Sequence, residues 1–455
     1  MDYREYQEYR EYFEKLIETK ELKELKEVLE EINVVDLAEI IEDMEDKTML
    51  MVFRLIPKLQ GSEVFSYMET YNQLRIINSI TDLELKGIID ELDFDDRIDI
   101  IDEMPANVVT KVLAQSTPEE RKLINEFLRY PEDSAGSMMT IEYVRLKPEM
   151  TVQDAMEYIK KTGMDKETIY TCYVENEYKM LLGFVSLRTI VVSDADLFIR
   201  DIMEEDVMFV TTTDDRELVA EQFMKYGYIA LPVVDLEHRL CGIITFDDIM
   251  DVVEEEATED FHKMAAINPS DDEYLSQTPW QLAKNRIPWL LILMVSATLT
   301  SGIIDNFSYI ISQYLILTMF IPMITDTGGN TGSQSSTIII RAMATGEVTL
   351  SDVFRVMFKE MGVGLIVGLV LALVNFGRMM IFTDAGLVIS GLVSFTVLIT
   401  VVLSKLLGAA LPMLAKRVHI DPAIMASALI TTIIDSLVLV IYFLLAGWLL
   451  PLGGA

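Results

Sequence analysis

From Ile287 onward the chain carries five apolar stretches, at 287–304, 309–324, 361–382, 388–415 and 423–450, separated by short polar joints. Each approaches or exceeds the roughly 20 residues a helix needs to cross a bilayer. Buried helices of water-soluble proteins do not sustain five such runs in succession with so few charges. This half is therefore expected to be five transmembrane helices in a lipid bilayer. Arg341, Arg355 and Lys359 lie between the second and third runs, and Lys416 and Arg417 between the fourth and fifth. Basic residues concentrate in cytosolic joints, which orients the bundle. The first residues, MDYREYQEYREYFEKL, contain no apolar signal core. The expectation is a multi-pass protein of the cytoplasmic membrane with a cytosolic N-terminus and, from the odd number of spans, an external C-terminus. Trp280, Trp289 and Trp448 fall near the predicted boundaries, where amphipathic rings are favoured.

Two features interrupt the apolar half. The segment TDTGGNTGSQSS, with Gly328, Gly329 and Gly332, follows the second run and its Pro322. Its composition predicts a break in the helix, either at an ion pathway or at a tight helix crossing. Asp435 lies near the middle of the fifth run, between ITTII and SLVLVIYFLL. An ionisable group there is costly and is a functional candidate by default. The only other ionisable residue so embedded is Lys405. Two copies of Asp435 brought together by twofold assembly would repel by ~4 kcal/mol at 4 Å and an effective dielectric of 20, which a passing divalent cation would relieve.

The remainder is soluble in character and strongly acidic. The net charge is −36, from 73 acidic and 37 basic residues, yet Pro279 onward is close to balance. Nucleic acid and anionic lipid headgroups are thereby disfavoured as partners, and cations favoured. Residues 1–130 show helical periodicity in short segments broken by Pro57, Gly61, Gly87, Pro105 and Pro118, which predicts stacked helix pairs in an all-α superhelical domain. From Pro131 the pattern becomes strand and helix, and it repeats: GFVSLRTI at 183–190 recurs as GIITFDDI at 242–249, each after a strand-like run. This arrangement resembles a tandem of cystathionine-beta-synthase-type (CBS) domains, at 131–200 and 201–257. The second repeat runs into an acidic helix and linker at 247–278, where Asp248, Asp251, Glu255 and Glu259 recur at helical spacing. Residues 279–455 form the membrane domain. Asp95 and Asp99 stand four apart in the helical domain. Acidic surfaces facing one another would repel until a divalent ion bridged them. Cys172 and Cys241 make no metal spacing with the three histidines, and no P-loop or catalytic triad is present; the chain does not read as an enzyme.

In this domain order the chain resembles the MgtE family of magnesium channels over nearly its whole length. The resemblance rests on GGNTGSQ, on DPA at 421–423, on Asp435 and on EEEATEDFHKM leading into the membrane. It implies a homodimer with a pore between subunits, in which Asp435 of both chains holds hydrated Mg2+. It also implies that the connecting helix plugs the pore at high cytosolic Mg2+, with Asp95, Asp99, Asp248, Asp251, Glu256, Glu259, Asp260 and Asp421 as sensor ligands. The sequence departs from the family pattern at Ala428, where a proline is expected, and at Val438, where a glycine is common. Gly227 takes the place of an acidic ligand, and Thr189 replaces the aspartate with which such domains hold a nucleotide ribose, which argues against ATP binding. The rival readings are a carrier for Mn2+ or Co2+, since oxygen ligands do not exclude those ions, and a membrane-anchored receptor that signals through its CBS pair.

Overall fold

Among the described residues three helix starts in the N-terminal part carry a side-chain cap, at Asn33, Thr81 and Thr117. Before Pro118, for example, the Thr117 hydroxyl accepts from the Glu120 amide (3.2 Å) while the Glu120 carboxylate accepts from the Thr117 amide (2.7 Å). This reciprocal cap satisfies two end donors, and proline at the first helical position costs no hydrogen bond. The computed structural model describes residues 3–270, 274 and 277–451. Among these, ten short helices run in succession: α1 to α10 at Tyr3–Thr19, Leu22–Glu31, Val34–Glu42, Asp46–Phe53, Lys58–Ser66, Thr70–Ile77, Asp82–Ile89, Phe94–Glu103, Ala106–Gln115 and Pro118–Phe127. Their apolar faces close a common core that includes Leu37, Ile41, Phe65, Ile76 and Ile101.

Two three-stranded sheets follow. In the first, β1 (Tyr143–Leu146) pairs parallel with β2 (Thr168–Glu175), which pairs antiparallel with β3 (Leu181–Ser186). The second repeats the plan with β4 (Val210–Thr211), β5 (Ala230–Val234) and β6 (Leu240–Thr245). Helices α11 (Val152–Thr162), α12 (Leu187–Val192), α13 (Ile199–Ile202) and α14 (Arg216–Tyr226) complete the pair. The repeated octapeptides each form a closing strand and the start of a helix. In the second copy that helix continues without a break as α15, Phe246–Met264. Val210, Phe223, Ile244 and Val252 share the core of the helical region. The chain divides into two compact units, Met1–Val253 and Glu254–Ala455, with α15 crossing the division.

The second unit is all-helical: α16 (Pro279–Asn306), α17 (Ser308–Gln313), α18 (Ile321–Ala344), α19 (Val353–Phe382), α20 (Gly386–Arg417) and α21 (Ser427–Leu449), with 3-10 turns at Leu315–Phe320 and Pro422–Met425. Among the described residues four helical stretches are long and apolar enough to cross a membrane: Pro279–Asn306, Leu350–Phe382, Gly386–Arg417 and Pro422–Leu449.

The second predicted span is corrected. Its residues, 309–324, are divided among α17, a 3-10 turn and the start of α18. The glycine-rich segment is not a break either, because it lies inside α18. Pro322 sits in the first turn, where proline starts a helix rather than interrupting one. Of the acidic connector predicted at 247–278, α15 ends at Met264; positions 271–273 and 275–276 lie outside the described residues.

Candidate functional site

In the first unit, acids from three elements converge. The first turn of α8 supplies Asp95 and Asp96, the strand β2 is preceded by Glu167, and the first turn of α15 supplies Asp247 and Asp248. Asp95 is only 8% exposed. Burial first, then the charges of Asp248, Glu167 and Asp96, push its carboxyl far above the usual range. Burial likewise raises Asp96 to about 6, with Asp93, Asp248 and Asp247 adding to it against a hydrogen bond from Ser66. Glu167 is raised to about 7 by burial and by Asp93, Asp248, Asp247 and Asp96. Asp248 is raised by burial although it caps its own helix, its carboxylate accepting from the Thr245 hydroxyl (2.6 Å) and amide (3.1 Å). These acids are held together against their own repulsion.

The predicted residues do not all join them. Asp251 is exposed on the next turn of α15. Asp99 is also exposed, and lines a separate recess with Ile98, Asp102, Phe127 and Tyr130. Asp96, Glu167 and Asp247 were missed as candidate ligands. Asp96 and Asp247 adjoin predicted acids in sequence, whereas nothing local marks Glu167. Among the described residues no three His, Cys, Asp or Glu side chains are arranged closely enough to hold a bare metal ion. Gly227 ends α14 at φ +69°, a left-handed conformation that favours glycine.

In the second unit, the last turns of α15 carry Glu256, Glu259 and Asp260 toward the start of the 3-10 turn at Asp421. The Lys263 ammonium bonds Asp421 Oδ2 at 2.7 Å and also pairs with Glu259, one helical turn back. The other Asp421 oxygen accepts from the Ala423 amide (2.8 Å) and so caps the turn. Burial and the charge of Asp421 raise Asp260 to about 6. Burial works against the charged form of Lys263, but its bonds to Asp421 and Glu259 outweigh it and hold the amine above the usual lysine range. A lysine thus already sits among the acids proposed to receive a metal ion.

Asp435 is half-buried midway along α21 and makes no ion pair or hydrogen bond among the described residues. Lys405 is not its partner: the lysine, 5% exposed, donates to Ser335 instead. Gly329 of α18 packs toward Thr431, Gly328 and Gly332 toward Ile434, and the Ser336 hydroxyl donates to the Met425 carbonyl (2.9 Å). This antiparallel register brings Asp326 of α18 level with Asp435, close enough for the charges to interact. Asp326, Asn330 and Gln334 recur at four-residue spacing and are all exposed, forming a polar strip on one face of α18. Close approach explains the glycines. A methyl group on Gly408 of α20 would collide with the Gly332 carbonyl oxygen and stand 3.0 Å from Ser335 Cβ.

The three regions match known families separately and in order. Residues 321–445 match the MgtE divalent cation transporter family, 32–133 the MgtE intracellular N domain, and 135–195 and 199–255 the CBS domain. The chain is 36% identical over 404 residues to the magnesium transporter MgtE of Thermus thermophilus, covering 88% of this chain and 89% of that one. This chain belongs to the MgtE family. The Bacillus subtilis magnesium transporter MgtE is 30% identical over 407 residues, with 87% and 90% covered. Among solved structures, the cytosolic domain of the Mg2+ channel MgtE in complex with ATP aligns with a TM-score of 0.51 and 33% identity, over 53% of this chain and 98% of that one. The soluble part of a magnesium transporter aligns with a TM-score of 0.52 and 28% identity, over 55% and 99%. MgtE proteins are named as transporters, so the chain falls in a family of non-enzymatic function. Three positions expected to depart from the family pattern have local roles here. Thr189 shares a hydrogen bond with Ser186 (2.8 Å) at the start of α12, Ala428 offers its carbonyl to Thr431 and Thr432 (2.9 and 3.2 Å), and Val438 is buried in the apolar core.

Proposed function

We propose that this chain transports Mg2+ across the cytoplasmic membrane, as a homodimer, along a path that passes Asp435. The observation that carries the reading is the carboxylate itself: half-buried in an apolar helix, beside the polar strip of α18, and not neutralised by the buried Lys405. A structural acid would have a partner. Magnesium sheds its water reluctantly, so a hydrated ion suits spaced carboxylates and amides better than a closed cage. In this reading α18 is a fifth crossing. Its 24 residues reach about 36 Å at 1.5 Å per residue, and its polar strip faces the path instead of lipid. The N-terminus is then cytosolic and the C-terminus external.

Regulation follows from the same electrostatics. Cytosolic Mg2+ would gather Asp95, Asp248 and their neighbours in the first unit, and Glu256, Glu259, Asp260 and Asp421 in the second, and so favour a closed arrangement. Asp99 and Asp251 would act at the margins of the first group. Hydrated Mg2+ can bridge acids that are too far apart to chelate a bare ion. For ATP, named in a relative's structure, the ribose acceptor would be Asp248 of the second repeat, the carboxylate that stands where the first repeat has Thr189.

Magnesium flux into liposomes, measured for the full chain and for Asp435→Asn, tests the path. The amide should lower flux by about tenfold or more while the folded dimer persists. Near-normal flux would remove Asp435 from the path. Mn2+ and Co2+ in the same assay separate the magnesium reading from the broader divalent one.

A further inference from the structure

The buried lysine that does not serve Asp435 has its own architecture. Lys405 Nζ donates to Ser335 Oγ at 3.2 Å, and Ser335 Oγ donates to Glu360 Oε2 at 2.6 Å. One hydroxyl accepts from the ammonium and donates to the carboxylate, so a single small group joins the two ends. Its members come from three helices: Lys405 from α20, Ser335 from α18 and Glu360 from α19. Ser335 is 1% exposed and Lys405 5%. An embedded charge of this kind is costly unless its placement is used.

The central member decides what that use is. Ser335 lies on α18 one turn after Gly332, where the backbones of α18 and α20 come too close for a side chain at Gly408. Ser336, its neighbour, bonds the Met425 carbonyl in the turn that begins beside Asp421. The same helix carries Asp326, whose charge reaches Asp435, and Asn330 one turn further along the same face. A shift of α18 along or about its axis would move those polar groups relative to Asp435, and the bridge resists that shift from both α19 and α20.

We propose that Lys405 is a positioning residue for ion passage, which acts through Ser335 to fix the polar strip of α18 against Asp435. The proposal rests on the transport function proposed above. Its test is Mg2+ uptake by the full-length protein in liposomes over a range of external Mg2+, for the parent, Lys405→Met, Lys405→Arg and Ser335→Ala, each normalised to folded dimer. Loss of packing alone lowers the amount of competent protein and scales maximal flux. Misplacement of α18 changes the concentration dependence. Lys405→Met should raise half-saturating Mg2+ by about tenfold, Ser335→Ala should move it in the same direction, and Lys405→Arg should bring it back to within about threefold of the parent. If Lys405→Met does not assemble, Ser335→Ala carries the test, because it severs the bridge while leaving both charges in place. An unchanged half-saturation in Ser335→Ala and Lys405→Met, with only maximal flux reduced, overturns the role of Lys405 and leaves the transport function standing. A folded parent without Mg2+ flux overturns both.

Discussion

Lys263 is the residue whose surroundings most change the reading of the connecting helix. Its ammonium occupies the place between Glu259 and Asp421 that the proposed gating gives to a divalent ion, and a partly buried bond of this kind contributes about 1–2 kcal/mol. Replacing it with glutamine should leave Glu259, Asp260 and Asp421 without a counter-charge. Protease protection of the segment 254–264 should then fall in the absence of Mg2+ and rise more steeply when Mg2+ is added. Identical cleavage in parent and Lys263→Gln, with and without the ion, would mean that the contact holds nothing. Acids in EEEATEDFHKM were legible as acids because helical spacing is local. Spacing alone could not supply their partner, because Asp421 lies over 150 residues away in sequence and was named only through the resemblance; in the first unit Glu167, which joins Asp96 and Asp248, carries no motif at all. For the same reason Asp95 and Asp99, alike in sequence, part company in the fold: the burial of one and the exposure of the other are decided by what packs on α8.

Among the elements, α18 shows where composition misleads. Three glycines cost about 1 kcal/mol each relative to alanine in a helix, which reads as a break. The spacing of Gly328 and Gly332, followed by Ser335 and Ser336, instead marks one small-residue face of a helix. That face is worth its cost only because α20 and α21 offer backbone and short side chains to it, and no sequence window contains both sides of a crossing. Gly408→Val should therefore cost about 1–3 kcal/mol or more through overpacking, seen as a lower thermal midpoint in detergent. Gly377→Val is the control, since a side chain there meets nothing within 4 Å. Equal destabilisation by the two would deny the crossing its close contact. The CBS repeat was easier to read: strand and helix each leave a local period, and the repeated octapeptide fixed both copies.

At the scale of the whole molecule the acids of the first unit make stability depend on pH and Mg2+ together. Asp96 and Glu167 are raised to about 6 and about 7, so folding disfavours their ionised forms. The stability they contribute is full below the ordinary carboxylate range and is lost as pH rises through those values. Without Mg2+ the thermal midpoint of the full chain should fall between about pH 5 and about pH 8. Millimolar Mg2+ should restore it at the upper pH and add little at the lower. A midpoint indifferent to pH, or equal stabilisation by Mg2+ at both, would count against the convergence of acids as a sensor. The same convergence has a consequence for the cell. Protons and Mg2+ relieve one repulsion by different means, so on the proposed gating an acidified cytosol would register as one already replete with magnesium, and uptake would slow although the ion itself was scarce.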